Sequence, residues 1–94
     1  MNRDELLAAL EEKYPKHWFR TSEEFNGAKG GIWTSAEDKE QLHSGLPLFD
    51  YYSQDDGGGS SYSLGVNIHL VKWLDKKGWY CEFNDPGTVM IWKV

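Results

Sequence analysis

Leu6, Leu7, Leu10 and Tyr14 recur at three- and four-residue steps, while Glu5, Glu11, Glu12 and Lys13 fall outside that stripe. This spacing places the apolar set on one face of a helix. Asn2 or Asp4 can cap its start, and Pro15 ends it, because the residue before a proline is pushed out of the α region. A second helix is predicted over about residues 64–77, LGVNIHLVKWLDKK. Its apolar positions Val66, Ile68, Leu70, Val71, Trp73 and Leu74 wrap more widely than the first stripe, so this helix should be the more deeply buried. Lys76 and Lys77 suit the negative end of its dipole, and Gly78 suits the residue after its C-cap.

The intervening segments read as strands and turns. Residues 17–21 form a short aromatic strand, NGAKGG turns the chain, and GIWTS (31–35) returns. LFDYYS (48–53) alternates Leu48, Asp50 and Tyr52 against Phe49, Tyr51 and Ser53, which predicts a further strand. WYCEF (79–83), NDPGT and VMIWKV (89–94) read as a closing hairpin with proline at the second turn position. Residues 36–47 are polar with few apolar anchors and read as a loop or a short helical turn.

Together these elements predict one α+β domain over residues 1–94, with two helices on one face of a mainly antiparallel sheet of four to five strands. The two ends of the chain also resemble each other. Leu6 and Leu10 match Leu70 and Leu74, Lys13 matches Lys77, Trp18-Phe19 matches Trp79-Tyr80, and Ile32-Trp33 matches Ile91-Trp92. A pseudo-repeat of two αββ units would follow.

If both helices cover one face, the other face is open to solvent, to a partner or to a covering loop such as 36–47. In the closing hairpin one alternating set must face the core, and the remaining set is expected to carry Tyr80, Val89 and Ile91. These three are candidate partner contacts. Tyr51, Tyr52 and Tyr62 join them as a tyrosine patch, since tyrosine offers large contact area and a hydroxyl at low entropic cost.

Composition narrows the function classes. With five Trp, five Tyr and four Phe in 94 residues, the chain has enough apolar area for one modest core. Fifteen acidic against ten basic residues give a net charge of −5. That argues against nucleic acid, whose phosphates need a basic footprint, and it is too mild for a nucleic-acid mimic. Cys81 is the sole cysteine, which excludes an internal disulfide and a cysteine-based zinc site. The charged N-terminal segment lacks a signal-like apolar run, so a cytoplasmic, membrane-free protein is expected.

The stretch SQDDGGGSSYS (53–63) lacks the lysine and Ser/Thr pair of a phosphate loop. It also lacks the alternating carboxylates of a calcium loop. A mobile Gly/Ser/Asp connection over residues 54–62 is the expectation. His17, His43 and His69 show no metal-ligand spacing. Cys81 sits mid-strand without a cation or helix N-terminus to activate it, and Glu82 with Asp50 would be only a chance carboxylate pair.

The expectation is therefore a non-enzymatic protein-interaction domain with no cofactor or metal. Its partner is expected to be another protein or a second copy of itself, which would make a homodimer through the sheet face. Small, acidic, aromatic-rich single domains are common among accessory proteins of bacteriophages and mobile elements, which makes a host factor one expected kind of partner.

Overall fold

A computed structural model describes residues 1–53 and 61–94. Helix α1 (Arg3–Lys13) starts at Asn2, whose side chain accepts from the Glu5 amide at 2.9 Å while Glu5 accepts from the Asn2 amide at 3.0 Å. This reciprocal cap satisfies two amides that a helix start leaves orphaned. Leu6 and Leu10 are fully buried, as the stripe predicts. The aromatic segment after Pro15 yields only a two-residue strand, β1 (Arg20–Thr21), because the turn at 15–17 delays its start and a helical turn follows directly. That turn, α2 (Ser22–Asn26), begins where Glu24 accepts from the Thr21 amide at 3.2 Å and ends at Gly27 with φ of 79°. The T-S-E-E spacing at 21–24 is a helix-start signature.

Strands β2 (Ile32–Ser35), β7 (Trp79–Asp85) and β8 (Thr88–Lys93) complete a four-stranded antiparallel sheet in the order β1-β2-β8-β7. Two small hairpins lie outside it. The first, β3 (Leu42–His43) and β4 (Leu46–Pro47), turns at Ser44-Gly45; the second, β5 (Tyr62–Ser63) and β6 (Val66–Asn67), turns at Leu64-Gly65. All four turn residues have positive φ (54° and 81°, 48° and 82°), the geometry of a two-residue hairpin whose twist matches its strands. Within 36–47, expected to be a loop or a short helical turn, residues 42–47 are therefore a hairpin. This hairpin packs towards the helices, since Tyr14 bonds His43 Nδ1 at 2.9 Å, and so it does not roof the opposite sheet face.

The second helix of the sequence reading starts later than expected, as α3 (Ile68–Lys76), because Leu64 and Gly65 cannot continue a helix at positive φ. Its cap is Asn67, which accepts from the His69 amide at 3.0 Å. Residues 48–53 make no strand. Phe49 forms one bridge to Val66, and then Asp50 accepts from the Tyr52 amide at 3.1 Å and turns the chain. The connection expected over 54–62 lies outside the described residues up to Ser60, and Tyr62 at its far end is already strand β5.

Leu6 and Leu10 of α1, Leu70 and Leu74 of α3, and Ile32, Trp79, Val89 and Ile91 of the sheet form one buried cluster, which puts both long helices on one sheet face. The expected half-apolar outer set needs correction here. Across β7 and β8, Cys81 pairs with Ile91 and Phe83 with Val89, and paired residues point to the same side. Asn84 is an extra residue between the Phe83 and Asp85 pairings, and this bulge sets the phase of the hairpin. Val89 and Ile91 are thus fully buried core residues, and Tyr80 shares the outer face with Trp92.

The sheet order reads the same from either edge, with α1 preceding one hairpin and α3 the other. Ile32 pairs with Ile91 at its centre, so Ile32-Trp33 and Ile91-Trp92 are related by an approximate two-fold axis through that pair. Arg20 pairs with Trp33 as Tyr80 pairs with Trp92. The residue matching Trp79 is therefore Phe19, one place along from the match expected from sequence.

Candidate interaction surface

Register alone assigns the outer face. Arg20, Trp33, Met90 and Glu82 form one row across all four strands, and Trp92 with Tyr80 forms part of the next. The Trp18 ring lies 4.8 Å from Trp33, edge to face, and Phe25 of α2 reaches 5.1 Å from the same indole. Five aromatic side chains thus gather on the side away from the core. Tyr80 is 46% exposed and Trp18 37% exposed, Trp33, Trp92 and Phe25 are half-buried, and Met90 is buried among this row.

Two features hold Trp92 flat. Its indole N–H donates to Glu82 Oε1 at 2.9 Å. At Gly31 the ring lies so close that a Cβ there would meet Trp92 Cε3 and Cζ3 at 2.4 Å. The glycine is therefore needed for ring clearance, in a position where its φ is not unusual. Charge around the platform is mixed: Arg20 lies 5.8 Å from the Trp18 ring and 3.8 Å from Glu24, both side chains being more than half exposed. Such a surface pair contributes little to stability.

The structure scatters the six tyrosine and aliphatic candidates from the sequence. Only Tyr80 belongs to the outer face. Val89 and Ile91 are core. Tyr62 is buried and donates its hydroxyl to the Pro47 carbonyl at 2.8 Å. Tyr51 is half-buried with its ring 5.3 Å from Phe83, whereas Tyr52 is 90% exposed. The latter two line a separate cleft of about 410 Å³ with Glu37, Lys39 and Asp50. The Lys39 ammonium in that cleft is held by the carbonyls of Ala36 and Phe49. Trp18, Phe25, Trp33 and Trp92 were missed as surface residues, although the repeated Ile-Trp pair was the available signal. If each isoleucine is core, each following tryptophan must face away from it.

The cysteine and the histidines lie away from the platform. Burial pushes the Cys81 thiol up to about 12, so it stays protonated and unreactive at neutral pH. His17 is buried, bonds the Ser35 carbonyl through Nε2 at 2.9 Å, and has no described partner at Nδ1. Burial lowers its pKa and keeps it neutral. His43 and His69 stack with ring centroids 4.9 Å apart. Among the described residues, no three His, Cys, Asp or Glu side chains are grouped to hold a metal, and no helix is long and apolar enough to cross a membrane.

Comparison with protein-family models, curated proteins and solved structures finds no match.

Proposed function

We propose that this chain is a non-enzymatic protein-interaction domain that holds its partner on the outer face of the sheet. The carrying observation is the platform of Trp18, Phe25, Trp33, Tyr80 and Trp92, on the side opposite α1 and α3. Large aromatic rings that are held in place lose little entropy on binding and supply the anchors of protein interfaces. Mixed charge at the rim, from Arg20, Glu24 and Glu82, suits a contact with a protein better than one with a polyanion.

The test uses Tyr80→Glu and Trp18→Ser, both at exposed positions. Thermal melting should stay near that of the parent protein, while affinity for a captured partner falls at least about 30-fold, the effect of losing a central interface anchor. Light scattering on the same proteins separates the two kinds of partner. A parent dimer that both variants turn into monomer means the partner is a second copy. Unchanged capture by both variants refutes the assignment of this face.

A further inference from the structure

The exposed side of α3 carries charge of the sign opposite to that of the whole chain. His69, Lys72, Trp73 and Lys76 recur at helical spacing on it, and Lys77 follows at the C-cap. Asp75, three positions after Lys72, borders this side and lines the groove beside β7 with Val71, Leu74 and Tyr80. The end of α1 adds Lys13, and the β3–β4 hairpin adds His43 stacked on His69. Two ammonium groups share one indole: Lys77 Nζ lies 4.5 Å and Lys13 Nζ 5.6 Å from the Trp73 ring centroid.

No ion pair among the described residues engages this face. The ion pairs among the described residues are Arg3 with Glu23 and Arg20 with Glu24, both elsewhere. Four of the eight lysines (Lys13, Lys72, Lys76 and Lys77) therefore stand together without a carboxylate in bonding range. Cation–π attraction holds two of them but cannot cancel their charge. The His43 imidazole senses the same field: burial lowers its pKa first, and Lys13 and His69 lower it further.

We propose that this face, formed by α3, the end of α1 and the β3–β4 hairpin, is a second docking surface whose occupant is an acidic, extended segment of a protein. Carboxylates would bridge Lys13, Lys72, Lys76 and Lys77, and an apolar side chain between them would rest on Trp73. A chain of net charge −5 repels a long polyanion at distance, so a short acidic peptide is favoured over nucleic acid. This surface is independent of the aromatic sheet face, and Tyr80→Glu should leave it unaltered.

The experiment titrates a short blocked oligoglutamate peptide into the whole protein and follows amide and indole NMR signals at low salt and at about 150 mM salt, where charge screening sets in within about 8 Å. Saturable shifts confined to His43, His69, Lys72, Trp73 and Lys76 are expected, weakening with salt. Lys13→Gln combined with Lys77→Gln should lower affinity about three- to tenfold without loss of fold, since both are surface charges. Absent shifts, shifts centred on Tyr80 and Trp92, or unchanged affinity in the double variant would overturn the proposal. A thymidine oligonucleotide binding as tightly through the same lysines would overturn the choice of a peptide.

Discussion

Asn67 is the residue whose replacement tests the packing logic most sharply. It is 1% exposed, at the joint between β6 and α3. Its Oδ1 accepts from the His69 amide at 3.0 Å and so caps α3. Its Nδ2 donates to the His43 carbonyl at 3.0 Å and to the Leu46 and Pro47 carbonyls at 3.3 Å, which ties the β3–β4 hairpin to the helix. Pro47 keeps the Tyr62 hydroxyl as a second donor, so the loss in Asn67→Ala falls on the cap and on His43 and Leu46. A lost cap costs about 1 kcal/mol and the lost amide bonds to carbonyls that keep their hairpin pairing about 0.5–1.5 kcal/mol, which together give about 1.5–2.5 kcal/mol. For a domain of this size that lowers the melting temperature by about 6–20 °C.

Asn67→Asp separates the two roles, because a carboxylate caps a helix well but cannot donate. At pH 7 it should be at least as damaging as Asn67→Ala, with an anion facing three carbonyl oxygens. Those oxygens raise the pKa of the introduced carboxyl in the folded state, so stability should recover as pH falls through that pKa and a donor returns. Calorimetry or circular-dichroism melts from pH 7 to about 4 read all three proteins. An Asn67→Asp protein as stable as the parent at pH 7, or an alanine variant within about 0.5 kcal/mol of it, would refute the reasoning.

Other substitutions separate core from surface. Ile91→Asp buries an unpaired charge at a fully buried position and should leave no cooperative melt, whereas Tyr80→Glu, on the neighbouring strand but facing outward, should shift stability by less than about 1 kcal/mol. Gly31→Ala forces the Trp92 ring off the β2 backbone. It should alter the Trp92 indole resonance and destabilise by about 1–3 kcal/mol, and an unchanged spectrum would mean that the ring does not lie there. His17 is held neutral in the fold, so its contribution is fully present above about pH 6.5 and declines as pH falls below that, when the unfolded chain takes up the proton. His17→Gln keeps a donor for the Ser35 carbonyl and should flatten that part of the stability–pH curve.

Long-period features were the legible ones in the sequence. The leucine stripe of α1, the proline that ends it, the α3 leucines and the closing hairpin needed only local spacing. What escaped depended on two-residue detail. Ser44-Gly45 and Leu64-Gly65 build hairpins of four paired residues, too short for alternation to register, and the second cuts the front from the predicted helix. Asp50 ended a run whose aromatic content favoured a strand. The outer face turned on the phase of one hairpin. With Asn84 as an extra residue, Val89 and Ile91 join Cys81 and Phe83 inside, and the surface passes to Trp92 and Tyr80. The tryptophan platform is also non-local, since Trp18 and Phe25 meet Trp33 only after the sheet and α2 are in place. The basic side of α3 was visible as lysines at helical spacing, but its union with Lys13 and His43 required the fold.

The most direct test of the sheet face as the functional surface compares two positions of equal exposure. Tyr80 and Leu42 are each 46% exposed, the first on the outer sheet face and the second on the β3–β4 hairpin. Partner affinity should be measured for Tyr80→Ser and Leu42→Ser alongside the parent protein. The expected result is a loss of at least about 30-fold for Tyr80→Ser and under about threefold for Leu42→Ser. Equal losses in both, or a loss confined to Leu42→Ser, would contradict the assignment.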